Sequence, residues 1–209
     1  MMKLIKIVLS AVLATAALTS AGTFTAGAAE EPASIMTKIE RQIEDQLKAG
    51  AAVADSDWFY LRVVGRPGYC LDNFASGGGA NNSKVGLWTC NGGITERWRL
   101  RAWNSGTFYG LNLVSEASGR CLDYPASAGN NIGWQINVYD CLNGGSAGQN
   151  FHRTIWTDTG TWTLQWQATS SVVALDAFAD HWVGNGSPVG LWTYSSPGNS
   201  LQHWYPTGS

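Results

Sequence analysis

Three short landmarks recur in the same order three times along the chain. The first is Cys70-Leu71-Asp72, then Cys121-Leu122-Asp123, then Ala174-Leu175-Asp176. The second is Leu87-Trp88-Thr89-Cys90, then Val138-Tyr139-Asp140-Cys141, then Leu191-Trp192-Thr193-Tyr194. The third is Glu96-Arg97-Trp98, then Gln149-Asn150-Phe151, then Gln202-His203-Trp204. The aspartates are spaced 51 and 53 residues apart and the closing aromatics 53 and 53. Residues 57–209 are 153 positions, or 3 × 51. An internal triplication follows, with units of about 57–105, 106–157 and 158–209. A unit of this size cannot bury its own apolar face, so the three must share one core. Trp98, Phe151 and Trp204 are the candidates for its centre.

Within each unit the pattern is β. Tyr60 to Val64, Gly110 to Val114 and Thr163 to Trp166 are short, β-prone runs. Asn81-Asn82 and Asn185-Gly186 precede the Leu-Trp runs and suit turns that need positive φ. The chain holds 25 glycines and 11 tryptophans, which favours a turn-rich all-β domain over a helical bundle.

Four cysteines allow three pairings. Cys70 to Cys90 and Cys121 to Cys141 each span 20 residues, and unit three carries Ala174 and Tyr194 at the same spacing. Both partners are missing together there, as a bridge within each unit predicts. The pairs are therefore Cys70–Cys90 and Cys121–Cys141. Zinc is disfavoured, since no C-x₂-C pair occurs.

Residues 1–28 read as a secretory signal: Lys3 and Lys6, an apolar run from Ile7 to Ala17, and an A-x-A site at Ala26-Gly27-Ala28. Cleavage would leave 181 residues and place them where disulfides persist, secreted and extracellular. Thr19, Ser20, Thr23 and Thr25 interrupt the segment before it is long enough to span a bilayer. Residues 29–56 read as an amphipathic helix and linker. Ile35, Ile39, Ile43 and Leu47 recur every four residues over 34–49. Ser34 is the expected N-cap and Gly50 the expected C′ residue. The stripe either packs on the following domain or frays, or else it docks a protein partner or dimerises. Ala51 to Ser56 reads as a linker, and because the repeats begin only near Asp57, a domain that folds without residues 29–55 is expected.

The landmarks resemble those of the ricin B-type lectin domain: a C-L-D turn, an L-W-x-C strand and a closing Q-x-W, three times over, across Asp57–Ser209. The resemblance implies a β-trefoil, with three four-stranded units in approximate threefold symmetry and one shallow sugar pocket per unit. In the family pocket the Asp accepts sugar hydroxyls and the strand aromatic lies against the sugar ring. One amide stands two residues before that aromatic and another just before the glutamine. Carried over, unit one offers Asp72, Trp88 and Asn91, with Gly86 and Thr95 in the amide places and Glu96 for glutamine. Unit two offers Asp123, Asn137, Tyr139 and Asn143, with Gly148 in the second amide place. Unit three offers Asp176 and Trp192, with Gly190 and Leu201 replacing both amides. Unit two is the best preserved. A pyranose has an apolar C–H face for the ring and hydroxyls for the carboxylate. The aspartates could instead cap the turns that follow them.

A formal net charge of −2 leaves no basic excess for nucleic acid. No G-x-S-x-G or H-E-x-x-H occurs. His152, His181 and His203 read as structural, and no catalytic residue, cofactor or metal-ligand set is assigned. Arg97, Arg99 and Arg101 alternate with Trp98, Leu100 and Ala102 and read as a solvated strand face. Two functions remain. One is a non-catalytic, secreted carbohydrate-binding protein. The other is a protein-docking or binding subunit of a secreted toxin or enzyme complex, with degraded sugar pockets.

Overall fold

The structure is a computed structural model that describes residues 31–74, 79–104, 109–125, 132–142, 148–156, 159–167, 172–195 and 199–209. The reading of residues 1–28 as a signal and the assignment of Asn143 lie outside the described residues. No described helix is long and apolar enough to cross a membrane.

One helix, α1 (Pro32–Lys48), leads into β1 (Val53–Asp55). Unit one follows as β2 (Phe59–Val63), β3 (Tyr69–Asp72), the short β4 (Ser83–Lys84), β5 (Gly86–Thr89) and β6 (Arg97–Asn104). Unit two is β7 (Tyr109–Ser115), β8 (Cys121–Asp123), β9 (Asn137–Tyr139) and β10 (His152–Trp156). Unit three is β11 (Thr161–Gln167), β12 (Val172–Asp176), the short β13 (Ser187–Pro188), β14 (Gly190–Thr193) and β15 (Trp204–Gly208).

The outer strands of the units close a barrel. β2 pairs with β6, β6 with β7, β10 with β11, β11 with β15 and β15 with β2. The bridge Leu111↔Phe151 closes the remaining seam between units one-to-two and two-to-three. The inner hairpins β3/β5, β8/β9 and β12/β14 cap one end. This is the expected β-trefoil. Alternation along β2 buries Phe59, Leu61 and Val63 and turns Tyr60 and Arg62 outward. Trp98 and Trp204 are completely buried and Phe151 nearly so, all in one cluster with Leu71, Leu122 and Leu175. The indole N–H of Trp98 donates to the Leu71 carbonyl (2.8 Å), and Trp204 does the same to Leu175 (3.0 Å). Phe151 has no such donor. Disulfides join Cys70 to Cys90 and Cys121 to Cys141.

The N-terminal helix packs on the following domain, one of its expected roles, while residues 51–56 depart from the sequence expectation. Ile35, Met36 and Ile39 belong to the main core cluster, and Ile43 packs with Ala54 and Ala102. The helix meets the barrel end opposite the hairpins. An ideal Cβ on Gly208, the last residue of β15, would lie 3.9 Å from Ile35, and one on Gly160, before β11, 3.5 Å from Ala33. Residues 51–56 are not a linker, because β1 pairs with β6 in the register Val53↔Trp103 and Asp55↔Arg101. The Gln46 side chain clamps β1: its Nε2 donates to the Asp55 carbonyl (2.6 Å) and its Oε1 accepts from the Asp55 N–H (3.1 Å). The apolar stripe is thus covered by the chain's own barrel. The helix starts two residues before Ser34, with Pro32 in its first turn, where a missing N–H costs nothing.

The strand face of Arg97, Arg99 and Arg101 is also paired rather than merely solvated. Arg99 and Arg101 share Asp55 (3.1 and 2.7 Å), and Arg97 meets Glu116 (2.9 Å). Arg99 lies over Trp58 and Arg101 over Trp103.

Candidate functional site

Each inner hairpin sets its aspartate opposite the residue two before the strand aromatic: Asp72↔Gly86, Asp123↔Asn137 and Asp176↔Gly190. Leu87, Val138 and Leu191 point into the core. Alternation then sends the next side chains outward. Trp88 is 38% exposed and Trp192 44%, while Tyr139 is half-buried.

All three aspartates are buried, at 4%, 8% and 4% exposure. In the first and third units the described carboxylate partners are side chains rather than N–H groups of the next turn. Thr95 Oγ1 donates to Asp72 Oδ2 at 2.8 Å. Asn199 Nδ2 and Gln202 Nε2 donate to Asp176 Oδ2 at 3.2 and 2.9 Å. In unit two the pairing of donors with acceptors turns the Asn137 amide nitrogen to Asp123, 3.2 Å from Oδ2 and 2.7 Å from the carbonyl oxygen. Burial opposes ionisation and pushes Asp72 and Asp123 up to about 6. Burial likewise raises Asp176, against the hydrogen bonds of Gln202 and Asn199.

Unit three is better furnished than its sequence suggests. Leu201 stands in the second amide place, but Asn199, two residues earlier, supplies an amide to Asp176. Thr95 fills the corresponding role in unit one with a hydroxyl. The first amide place is closed in both units. An ideal Cβ on Gly86 would lie 2.5 Å from Phe74 Cζ, and one on Gly190 2.5 Å from Phe178 Cζ. These phenylalanines meet the exposed tryptophans edge to face, with centroids 6.0 Å apart for Phe74–Trp88 and 6.2 Å for Phe178–Trp192. Sequence reasoning missed both. The signal was a Phe two residues after the Asp wherever the amide is Gly.

Neighbouring units complete each site. Asn82, Gly133 and Gly186 hold the same turn position, with φ of 68°, 86° and 89°. Just before it, Asn81 Oδ1 accepts from the Asp140 N–H of unit two (2.8 Å), and Asn185 Oδ1 from the Thr89 N–H of unit one (2.7 Å). Ile132 occupies that place against unit three. The closing glutamines hold the loop after each strand. Gln149 Oε1 accepts from Leu142 N–H (3.0 Å) and Gln202 Oε1 from Ser195 N–H (3.1 Å). In unit one Glu96 accepts from the Asn91 and Gly92 N–H groups at 3.0–3.1 Å. The Asn91 side chain turns to the Gly93 N–H (2.8 Å), serving the loop. His203 is buried, with its Nδ1 3.3 Å from Thr161 Oγ1, and His181 packs its ring against Phe178.

Residues 48–139 match the sequence model of the family described as ricin-type beta-trefoil lectin domain-like. No curated protein matches the chain. Among solved structures, the designed threefold-symmetric protein ThreeFoil is 23% identical, with 73% of this chain and 99% of that chain covered and a TM-score of 0.59. A mosquitocidal holotoxin is 12% identical, with 73% and 17% covered and a TM-score of 0.60. The Macrolepiota procera ricin B-like lectin, solved in complex with lactose, is 15% identical, with 73% and 96% covered and a TM-score of 0.55. The barrel and its three hairpins make the protein a β-trefoil, and its residues 48–139 are similar to the ricin-type beta-trefoil lectin-like family.

Proposed function

We propose that the protein is a secreted, non-catalytic carbohydrate binder whose principal pocket is Asp123, Asn137 and Tyr139 of unit two. The observation that carries this is the pairing across β8 and β9. It sets a buried acid beside an amide, with a half-buried ring two residues along the same strand. The carboxylate accepts sugar hydroxyls, Asn137 orients it, and Tyr139 covers the C–H face of the ring. Units one and three add weaker sites at Asp72/Trp88 and Asp176/Trp192, and several weak sites on one surface gain by avidity. Two disulfides and a segment of signal type support export.

The test is retention on a glycan surface. Asp123→Ala and Tyr139→Ala should each reduce it roughly ten- to a hundredfold, the weight of a hydrogen bond to a charged group or of a lost ring face. Asp176→Ala and Trp192→Ala should do less. Equal retention by wild type and both unit-two variants, all with unchanged melting curves, would reject the site. The second reading, a binding subunit of a larger secreted assembly, draws on the holotoxin that contains a similar fold within a longer chain. It no longer draws on the helix, whose apolar residues are buried against the barrel.

A further inference from the structure

A second recess lies on the barrel wall, beside the unit-one hairpin and away from the unit-two pocket. It has a volume of about 410 Å³ and is lined by Tyr60, Arg62, Gly92, Glu96, Thr207 and Gly208, with Cys90 at its edge. Cavities of this size hold small ligands. The outward side chains of β2 and β15 form one wall, since Tyr60 faces Thr207 across the strand pair. The loop after β5 forms the other and is tied down, because Tyr60 Oη donates to the Gly92 carbonyl (3.2 Å).

The register sets this wall of unit one against the same positions of the other two units. Arg62 stands opposite Cys70 as Val114 stands opposite Cys121 and Gln165 opposite Ala174. By that register Tyr60 corresponds to Asn112 and Thr163. Asn112, Val114 and Thr163 are buried, whereas Tyr60, Arg62 and Gln165 are partly exposed. Unit one is thus the unit in which both of these positions are partly exposed.

Arg62 also differs from Arg66, Arg97, Arg99, Arg101 and Arg120. Arg97, Arg99, Arg101 and Arg120 each meet a carboxylate, and Arg66 lies over Trp182. Arg62 makes one described hydrogen bond, from Nε to Thr207 Oγ1 at 3.3 Å, and meets no described carboxylate. That bond fixes the side chain and leaves both terminal nitrogens to a ligand. Glu96, the acid of the lining, has its two oxygens on the Asn91 and Gly92 N–H groups. A planar guanidinium in a half-open recess recognises a carboxylate or sulfate through two parallel hydrogen bonds. Thr207 and Tyr60 add hydroxyls for the rest of a polar ligand. We propose that this recess binds the anionic group of an acidic sugar, independently of the unit-two pocket.

Titration calorimetry on the purified chain with glucuronate, glucose 6-sulfate and glucose tests this. Both anions should bind at least tenfold tighter than glucose, and raising the salt from 50 to 500 mM should weaken them. Arg62→Gln should lose the anion preference with its melting curve unchanged, and Thr207→Val should weaken anion binding severalfold by releasing Nε. Asp123→Ala should leave anion binding intact, which separates this recess from the unit-two pocket. Equal affinity for glucuronate and glucose in wild type would overturn the proposal. So would undiminished anion binding by a folded Arg62→Gln protein, or anion binding lost in Asp123→Ala but kept in Arg62→Gln.

Discussion

The ring of Phe74 stands where a side chain on Gly86 would have to be, with Cζ 2.5 Å from the ideal Cβ position. Phe178 has the same relation to Gly190, and a carbonyl oxygen presses on each place too, Ser187 at Gly86 and, closer still, Trp134 at Gly190. The two hairpins have thus replaced a strand amide by a ring from the following loop, and the ring braces the exposed tryptophan. Gly86→Ala and Gly190→Ala should each cost about 1–3 kcal/mol by overpacking. Gly190→Ala should cost more, because the backbone oxygen it would meet lies closer. Denaturant melts of the two variants check this. Gly86→Asn alone should not build a second unit-two-like pocket.

Acid titration provides a second expectation, with opposite signs for stability and binding. Asp72 and Asp123 are raised to about 6 by burial. A raised carboxylate favours the folded state below its unfolded value near 4, and that contribution is lost as pH rises through about 6. Asp123→Asn should therefore shrink whatever stability wild type gains between pH 7 and pH 4, seen as a smaller change in melting temperature. Sugar hydroxyls need the ionised acceptor, so wild-type glycan retention should fall as pH drops through about 6. A flat retention profile from pH 7 to pH 5 would argue against the carboxylate as the acceptor.

Covalent bracing differs among the units. Cys70–Cys90 and Cys121–Cys141 each close a loop of 20 residues, and unit three has none. Chain entropy puts each bridge at about 3 kcal/mol. Replacing both cysteines of either pair by serine should lower the denaturant midpoint accordingly, and mild reduction should do so for the wild type.

The repeat made the trefoil legible, because three landmarks at one period leave few ways to share a core. The bridges were legible too, through the joint loss at Ala174 and Tyr194. Position-by-position matching was less informative about the sites. It marked Gly86 and Gly190 as missing amides, where the chain has exchanged them for Phe74 and Phe178. It marked Leu201 as a loss, where Asn199 reaches Asp176 from two residues away. Such exchanges are set by which side chains meet in space, and a fixed motif register does not carry that. Asp55 escaped notice for the same reason, since its partners Arg99 and Arg101 lie more than 40 residues along the chain.

The N-terminal helix yields the last expectation. Repeat boundaries alone place the fold's start near Asp57. Yet Ile39 is 2% exposed and Ile35 and Met36 are 5% exposed, all within the main core. A barrel whose open end is sealed by these side chains should not tolerate their loss. Ile39→Ala should cost about 2–5 kcal/mol, which for a domain of this size is a fall in melting temperature of roughly 5–15 °C. Ile39→Asp should cost more, since it buries an unpaired charge. Starting the chain at Asp57 should cost most, because it also removes β1 from β6 and strips Asp55 from Arg99 and Arg101. Thermal melts of the three variants, with near-ultraviolet circular dichroism for the packed tryptophans, read the order directly. A truncated protein melting with the full chain would show that the barrel closes its own end.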